Sequence, residues 1–219
     1  MISSASIQTV LAQATQNFAA GEKFEQGKAI DEARFHYGVA LASLEVIASI
    51  GTSGQYCVAT PCLGVITSDC PDVLFRVCQS LARLHDRIGR IELTKLNTTV
   101  AARHLAAAQA GYEAHTVNGV KAFELSVLLA EAHVRGGNAE GGLLAAKSAV
   151  RVIEKVVGYC SPSVVYAYYW LYRSESMLLN CDSAAAAADR MLALLDANPD
   201  VINSGTANLL RREVSQLTF

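Results

Sequence analysis

LARLHDRIGR, residues 81–90, returns as LAEAHVRGGN at residues 129–138, and both fit the frame Leu-Ala-x-x-His-x-Arg-x-Gly at an offset of 48. Such a recurrence marks either two functional histidines brought together by symmetry or one structural unit used more than once. A second interval, 43 residues from Gly137 to Asn180, puts the period near forty. Periods of 20–50 residues are the signature of stacked repeats. His85 and His133 are therefore read as structural residues in equivalent slots. Arg87 and Arg135, two residues further on, point to another face of their helices.

The composition agrees. In a chain of 219 residues, 52% are hydrophobic but only 7% aromatic, with 4 prolines, a balance that suits close-packed helices. Lys plus Arg at 18 against Asp plus Glu at 20 leaves a formal charge of −2 and no bulk field to attract phosphate backbones. The start carries no basic n-region and no compact apolar block, so a cytoplasmic location is the expectation; a presequence already removed, or an internal organelle-import signal, would leave no trace here. No stretch reads as a membrane span. Cys57, Cys62, Cys70 and Cys78 are spaced C-x4-C-x7-C-x7-C, with Cys160 and Cys181 apart from them. Without a C-x-x-C pair no zinc site is expected, and free thiols are the primary reading, a loop disulfide the second.

Helical periodicity runs nearly throughout. A first helix, Ile7 to Ala20, carries Val10, Leu11, Ala14 and Phe18 on one stripe and ends near Gly21. A second, Ala29 to Ile50, carries Ala33, Tyr37, Ala40, Leu41, Leu44 and Ile47. Residues 51–70 form a long loop. Helices follow at Pro71–Ile88, Ile91–His115, Asn118–Arg135 and Ala139–Gly158, with turns at Gly89, Val117-Asn118 and Gly136-Gly137-Asn138. Ser161-Pro162 opens a helix to Asn180, Asp182 or Ser183 caps the next, which Asn198-Pro199 ends, and Ser204–Leu217 is the last. Short spacers make neighbouring helices antiparallel. The expected organisation is one domain, 1–219, of helical pairs at about 5–50, 71–115, 118–158 and 161–198 with a capping helix at 204–217.

DEARFHYGVAL, Asp31 to Leu41, places Ala33, Tyr37 and Ala40 in a small–aromatic–small order. Gly21 and Phe24 supply small and aromatic residues upstream, and Lys28 stands one residue beyond Gly27 in the slot of a turn glycine. The sets Leu81-Ala82, His85, Gly89 and Leu129-Ala130, His133, Gly137 repeat the leucine, small, ring and turn positions, and Gly142, Ala146 and Ala149 supply the small positions of a second helix. On these residues the chain resembles the tetratricopeptide repeat, in particular its longer kinesin-light-chain-like variants. The sequence departs from that pattern at Thr94 and Thr98, where the second pair's following helix needs small and aromatic residues, and at Asn180, where a turn glycine is replaced. The resemblance implies an all-α, right-handed superhelical solenoid of about four antiparallel pairs plus a cap.

It also implies a concave groove lined by the first helix of each pair. Its candidate residues are Gln79, Arg83, Asp86 and Arg87 in one pair, and Glu124, Val127, Leu128, Glu131 and Arg135 in the next. Tyr169 and Trp170 join them from VVYAYYWLYR, Val164 to Arg173, where aromatics go almost all round one helix, more than one core stripe absorbs. The groove lacks the lysine and asparagine set with which related repeats clamp a chaperone's terminal carboxylate.

No nucleotide loop, nucleophile elbow or metalloprotease motif occurs, and no catalytic, cofactor or metal residue is assigned. Asn97-Thr98-Thr99 fits a glycosylation acceptor but falls inside an expected helix. The function this supports is a non-catalytic protein-interaction module, scaffold or structural subunit of a larger assembly, whose partners are proteins: a peptide segment or neighbouring subunits. Three alternatives stay open: a regulatory domain associated with an enzyme, a helical trafficking module, and an RNA-binding helical repeat using Arg76, Arg83, Arg87, Arg90 and Arg103.

Overall fold

In a computed structural model of the protein, which describes residues 4–51, 71–115, 119–156 and 161–216, the regular structure is entirely α-helical. The helices are α1 Ser4–Gln26, α2 Ile30–Gly51, α3 Pro71–Thr94, α4 Thr98–His115, α5 Gly119–Arg135, α6 Ala139–Val156, α7 Pro162–Met177, α8 Cys181–Ala197 and α9 Ser204–Gln216. They fall into two compact units, Met1–Asn118 (unit 1) and Gly119–Phe219 (unit 2). In unit 1, α1 packs on α2, α2 on α3 and α3 on α4. In unit 2, α5 pairs with α6 and α7 with α8, while α7 also touches both α5 and α6.

Four pairs are closed by one and the same turn. At Lys28, Leu96, Gly137 and Leu179 the backbone turns left-handed, with φ of 60°, 62°, 79° and 60°. The next residue's N–H reaches the carbonyl five positions back in every case: Ala29 to Phe24, Asn97 to Glu92, Asn138 to His133 and Asn180 to Glu175. The left-handed residue itself donates three positions back, to Glu25, Leu93, Val134 and Ser176. This pair of hydrogen bonds satisfies the last carbonyls of the first helix while the same short segment starts the second.

The turn corrects the register drawn from the sequence. Gly89 does not end a helix; α3 runs through it to Thr94. A Cβ on Gly89 would lie 2.8 Å from Leu105 Cγ and 2.9 Å from its Cδ2, so this glycine supplies space between α3 and α4 rather than a turn. The counterpart of Gly137 is Leu96, 41 residues earlier, and Leu179 follows 42 later. The 48-residue frame was therefore seven residues out, about two helical turns, a slip that keeps every residue on nearly the same face and so preserves the look of the pattern. In this register the places of Ala33, Tyr37 and Ala40 in α2 are taken in α4 by Ala101, Leu105 and Ala108, all buried, with Thr94 and Thr98 outside them. Gly21 likewise lies inside α1, and Asn180, not Asp182 or Ser183, precedes α8.

Positive φ strains a side chain that has a Cβ, and Leu179 is 77% exposed, so packing returns little for that strain. Leu179→Gly is expected to raise the stability of unit 2 by about 1 kcal/mol, read as a higher urea midpoint at unchanged m-value.

The core of each unit follows the same geometry. Ala33, Tyr37, Ala40, Leu41, Leu44 and Ile47, the stripe expected for the second helix, are all buried against α1 and α3. The small residue of a first helix faces one position of the second: Gly21 lies against Tyr37 and Gly89 against Leu105. The same turn-relative positions in the fourth pair hold Tyr172 and Ala188, both buried, with the sizes reversed. The aromatics of α7 are absorbed because that helix is covered by three neighbours: Tyr168, Trp170 and Tyr172 are buried, Tyr166 and Tyr169 half-buried.

Candidate functional site

Two buried glutamates tie turns to neighbouring helices. Glu92, five residues before Asn97, accepts a 2.7 Å hydrogen bond from its side-chain amide and an ion pair from Arg34 on α2. Glu175, five before Asn180, accepts a 2.7 Å bond from that asparagine and a 3.2 Å ion pair from Lys147 on α6. His133 holds the same place before Asn138, its Nδ1 3.2 Å from the amide nitrogen. At both glutamates a half-exposed cation on the second helix of one pair meets the carboxylate at the end of the next pair's first helix. Burial by itself would raise the Glu92 carboxyl, but the bonds from Arg34 and Asn97 prevail and hold it below the usual carboxylate range. Asn97 thus stands in a turn, not inside a helix, with its amide nitrogen committed to Glu92.

The two recurring histidines separate under this register. His133 belongs with Glu92 and Glu175, whereas His85 faces His104 of α4, Nδ1 to Nδ1 at 2.9 Å. The equivalent contact of the first pair is between Asn17 Oδ1 and His36 Nδ1, at 3.0 Å. Sequence reasoning missed the true recurrence, His36 and His104, each seven residues after the residue that follows the left-handed turn position.

Among the surface candidates of unit 1, Asp86 is 5% exposed and accepts Arg90 Nε at 2.6 Å. Arg87 reaches back to α1, 3.2 Å from Glu25 and 3.8 Å from Glu22. Gln79 is half-buried, and Arg83 is exposed. Of the five arginines considered for RNA, Arg87 and Arg90 are therefore neutralised by carboxylates, while Arg76 and Arg103 share Arg83's exposure.

In unit 2 the candidates are brought together more closely. The Arg135 guanidinium lies 5.8 Å from the ring centre of Trp170 and pairs with Glu131 at 3.0 Å. Burial raises the Glu131 carboxyl, opposed by Arg135. Tyr169 meets Trp170 edge-on at 4.7 Å, and its hydroxyl donates to Glu213 of α9 at 2.8 Å. Burial and that bond push the Tyr169 hydroxyl up to about 12. Arg173 pairs with the same Glu213. Trp170 is 7% exposed, so it is the floor of this face rather than its surface, and its Nε1 has no partner among the described residues. Val127 is a core residue, 6% exposed, and Leu128 is half-buried. Glu124 lies 3.5 Å from Lys121 on its own helix.

Among the described residues no three His, Cys, Asp or Glu groups converge as metal ligands, and no helix is long and apolar enough to cross a membrane. Cys78 is disulfide-bonded, which corrects the expectation of free thiols, whereas Cys181 is free and exposed. Cys57, Cys62, Cys70 and Cys160 lie outside the described residues, as do residues 52–70 of the loop expected at 51–70. No family model and no curated protein matches the chain.

Proposed function

We propose that the protein is a non-catalytic interaction module of tetratricopeptide-like helical pairs, a scaffold or subunit that presents its first helices to a segment of a protein partner. The observation that carries this reading is the shared face of α5 and α7. There Arg135 and the half-buried Glu131 and Tyr169 stand round the buried Trp170. Tryptophan, tyrosine and arginine are the residue types that dominate binding energy in protein interfaces, and a rigid aromatic floor under charged groups costs little entropy to present. A partner segment carrying an apolar residue suits these ring edges, beside the Arg135–Glu131 ion pair. The formal charge of −2, with Arg87 and Arg90 paired with carboxylates, weighs against RNA as the ligand.

Affinity capture from native lysate tests the proposal, comparing the intact chain with Arg135→Glu and, separately, Arg83→Glu, with circular dichroism confirming equal helicity. Loss of one stoichiometric partner with Arg135→Glu, about tenfold or more in affinity, is the expected result. A partner retained unchanged by both variants would rule out the first-helix face as the site.

A further inference from the structure

The α3–α4 hairpin holds two imidazoles in a place where its internal equivalent holds an imidazole and an amide. His85 Nδ1 and His104 Nδ1 are 2.9 Å apart, with the rings tilted by 38° and their centres 5.1 Å apart. For this contact to be a hydrogen bond, one ring must carry its proton on Nδ1 and donate, and the other must be the Nε2–H tautomer and accept. A second proton would point N–H at N–H. In the first pair the same geometry joins His36 Nδ1 to the Oδ1 of Asn17. An amide oxygen accepts from imidazole and imidazolium alike, so that contact survives protonation.

The hairpin has little room to relieve the conflict by sliding. One turn before His85, Ala82 lies against Gly111, where an added Cβ would be 2.8 Å from the alanine's own Cβ. One turn after it, Gly89 lies against Leu105, the neighbour of His104. The backbones are thus in close approach on both sides of the pair.

We propose that His85 and His104 make the α3–α4 hairpin an acid-released clasp, closed while they share one proton and opened when the pair takes up a second. The charged groups about it do not supply a substitute. Arg34 of α2 and Arg103 of α4 disfavour a charge on His104; Glu92 favours one, but it is already engaged by Arg34 and Asn97. On α3 itself Asp86 is paired with Arg90. Burial, reinforced by His104, lowers His85 to about 4, and burial with Arg103 lowers His104 too.

The sign follows from linkage. Both groups bind protons less readily in the folded than in the unfolded chain, so their contribution is intact above the ordinary histidine value and is lost as pH falls from there toward 4. Glu92 is held below the usual carboxylate range, so its charge outlasts that of an ordinary carboxylate as the pH falls.

Hydrogen exchange of the full chain, corrected for the intrinsic pH dependence of the chemistry, tests this. Amides of α3 and α4 are expected to open on the order of tenfold more often at pH 5 than at pH 6.5. His85→Asn, which copies the Asn17–His36 arrangement, is expected to remove most of that difference. An acid response in α3–α4 that is the same in the variant, or no response in the parent chain, overturns the proposal. A second reading needs no variant: nitrogen-15 histidine spectra at pH 7 should show one Nδ1–H and one Nε2–H tautomer for the pair. Finding both as Nε2–H also overturns it.

Discussion

Tyr37→Ala is expected to destabilise unit 1 by about 3–5 kcal/mol, the range for removing a buried aromatic side chain. The ring is fully buried, packs at 5.6 Å against Phe18, and donates its hydroxyl to Glu25 at 2.6 Å. It also occupies the space in front of Gly21, where a Cβ would lie 2.5 Å from Tyr37 Cε1. Gly21→Leu alone should therefore overpack the pair, at about 1–3 kcal/mol. The two changes together should cost less than their sum by 0.5 kcal/mol or more, because leucine enters the space that tyrosine leaves. Urea unfolding followed by circular dichroism measures all three variants. Strict additivity would show that Gly21 and Tyr37 do not share one volume.

In unit 2 the largest effect is expected at Gly142. Its Cβ would fall 2.6 Å from Val134 Cγ2 of α5 and 2.8 Å from Ser174 Oγ of α7. Ser174 is fully buried and donates to the Trp170 carbonyl at 2.8 Å, so it has little freedom to withdraw. Gly142→Val is expected to cost about 2–3 kcal/mol, lowering Tm by on the order of 10 °C or more in a unit of this size. Trp170 is the single tryptophan of the chain, so its fluorescence reports the unfolding of unit 2 specifically. An unchanged midpoint would mean that α5, α6 and α7 do not meet at this residue.

How much of this was legible follows from what each feature depends on. The helices were readable because their stripes are local: the six apolar positions expected of α2 are the six that are buried among its described residues. The turns were half-readable. Gly137 carries a composition signal, but Lys28, Leu96 and Leu179 adopt the same left-handed conformation without one. Backbone hydrogen bonding dictates the turn, and a lysine or leucine tolerates it at modest cost. Gly89 misled because a glycine that makes room for Leu105 looks the same, in one sequence, as a glycine that turns the chain.

The candidate face was legible in its residue types and not in its grouping. Arg135, Tyr169 and Trp170 could be picked out individually, but the sequence does not show that a guanidinium on α5 lies over a ring on α7. Nor does it show that Asp86 and Val127 turn inward. The Glu92–Asn97 and Glu175–Asn180 links share a five-residue spacing that only the correct register brings into view.

The opposed sizes at the helix contacts bear on how such a chain could be rearranged. Gly21 against Tyr37 puts small before large, and the same turn-relative positions of the fourth pair, Tyr172 and Ala188, put large before small. Joining the first helix of the first pair to the second helix of the fourth would set glycine against alanine and leave a void. The reciprocal hybrid would send two tyrosine rings to one place. The first and fourth pairs are therefore keyed in opposite senses, so exchanging single helices between them would yield misfits, whereas duplication or loss of either pair whole would keep its key with its lock.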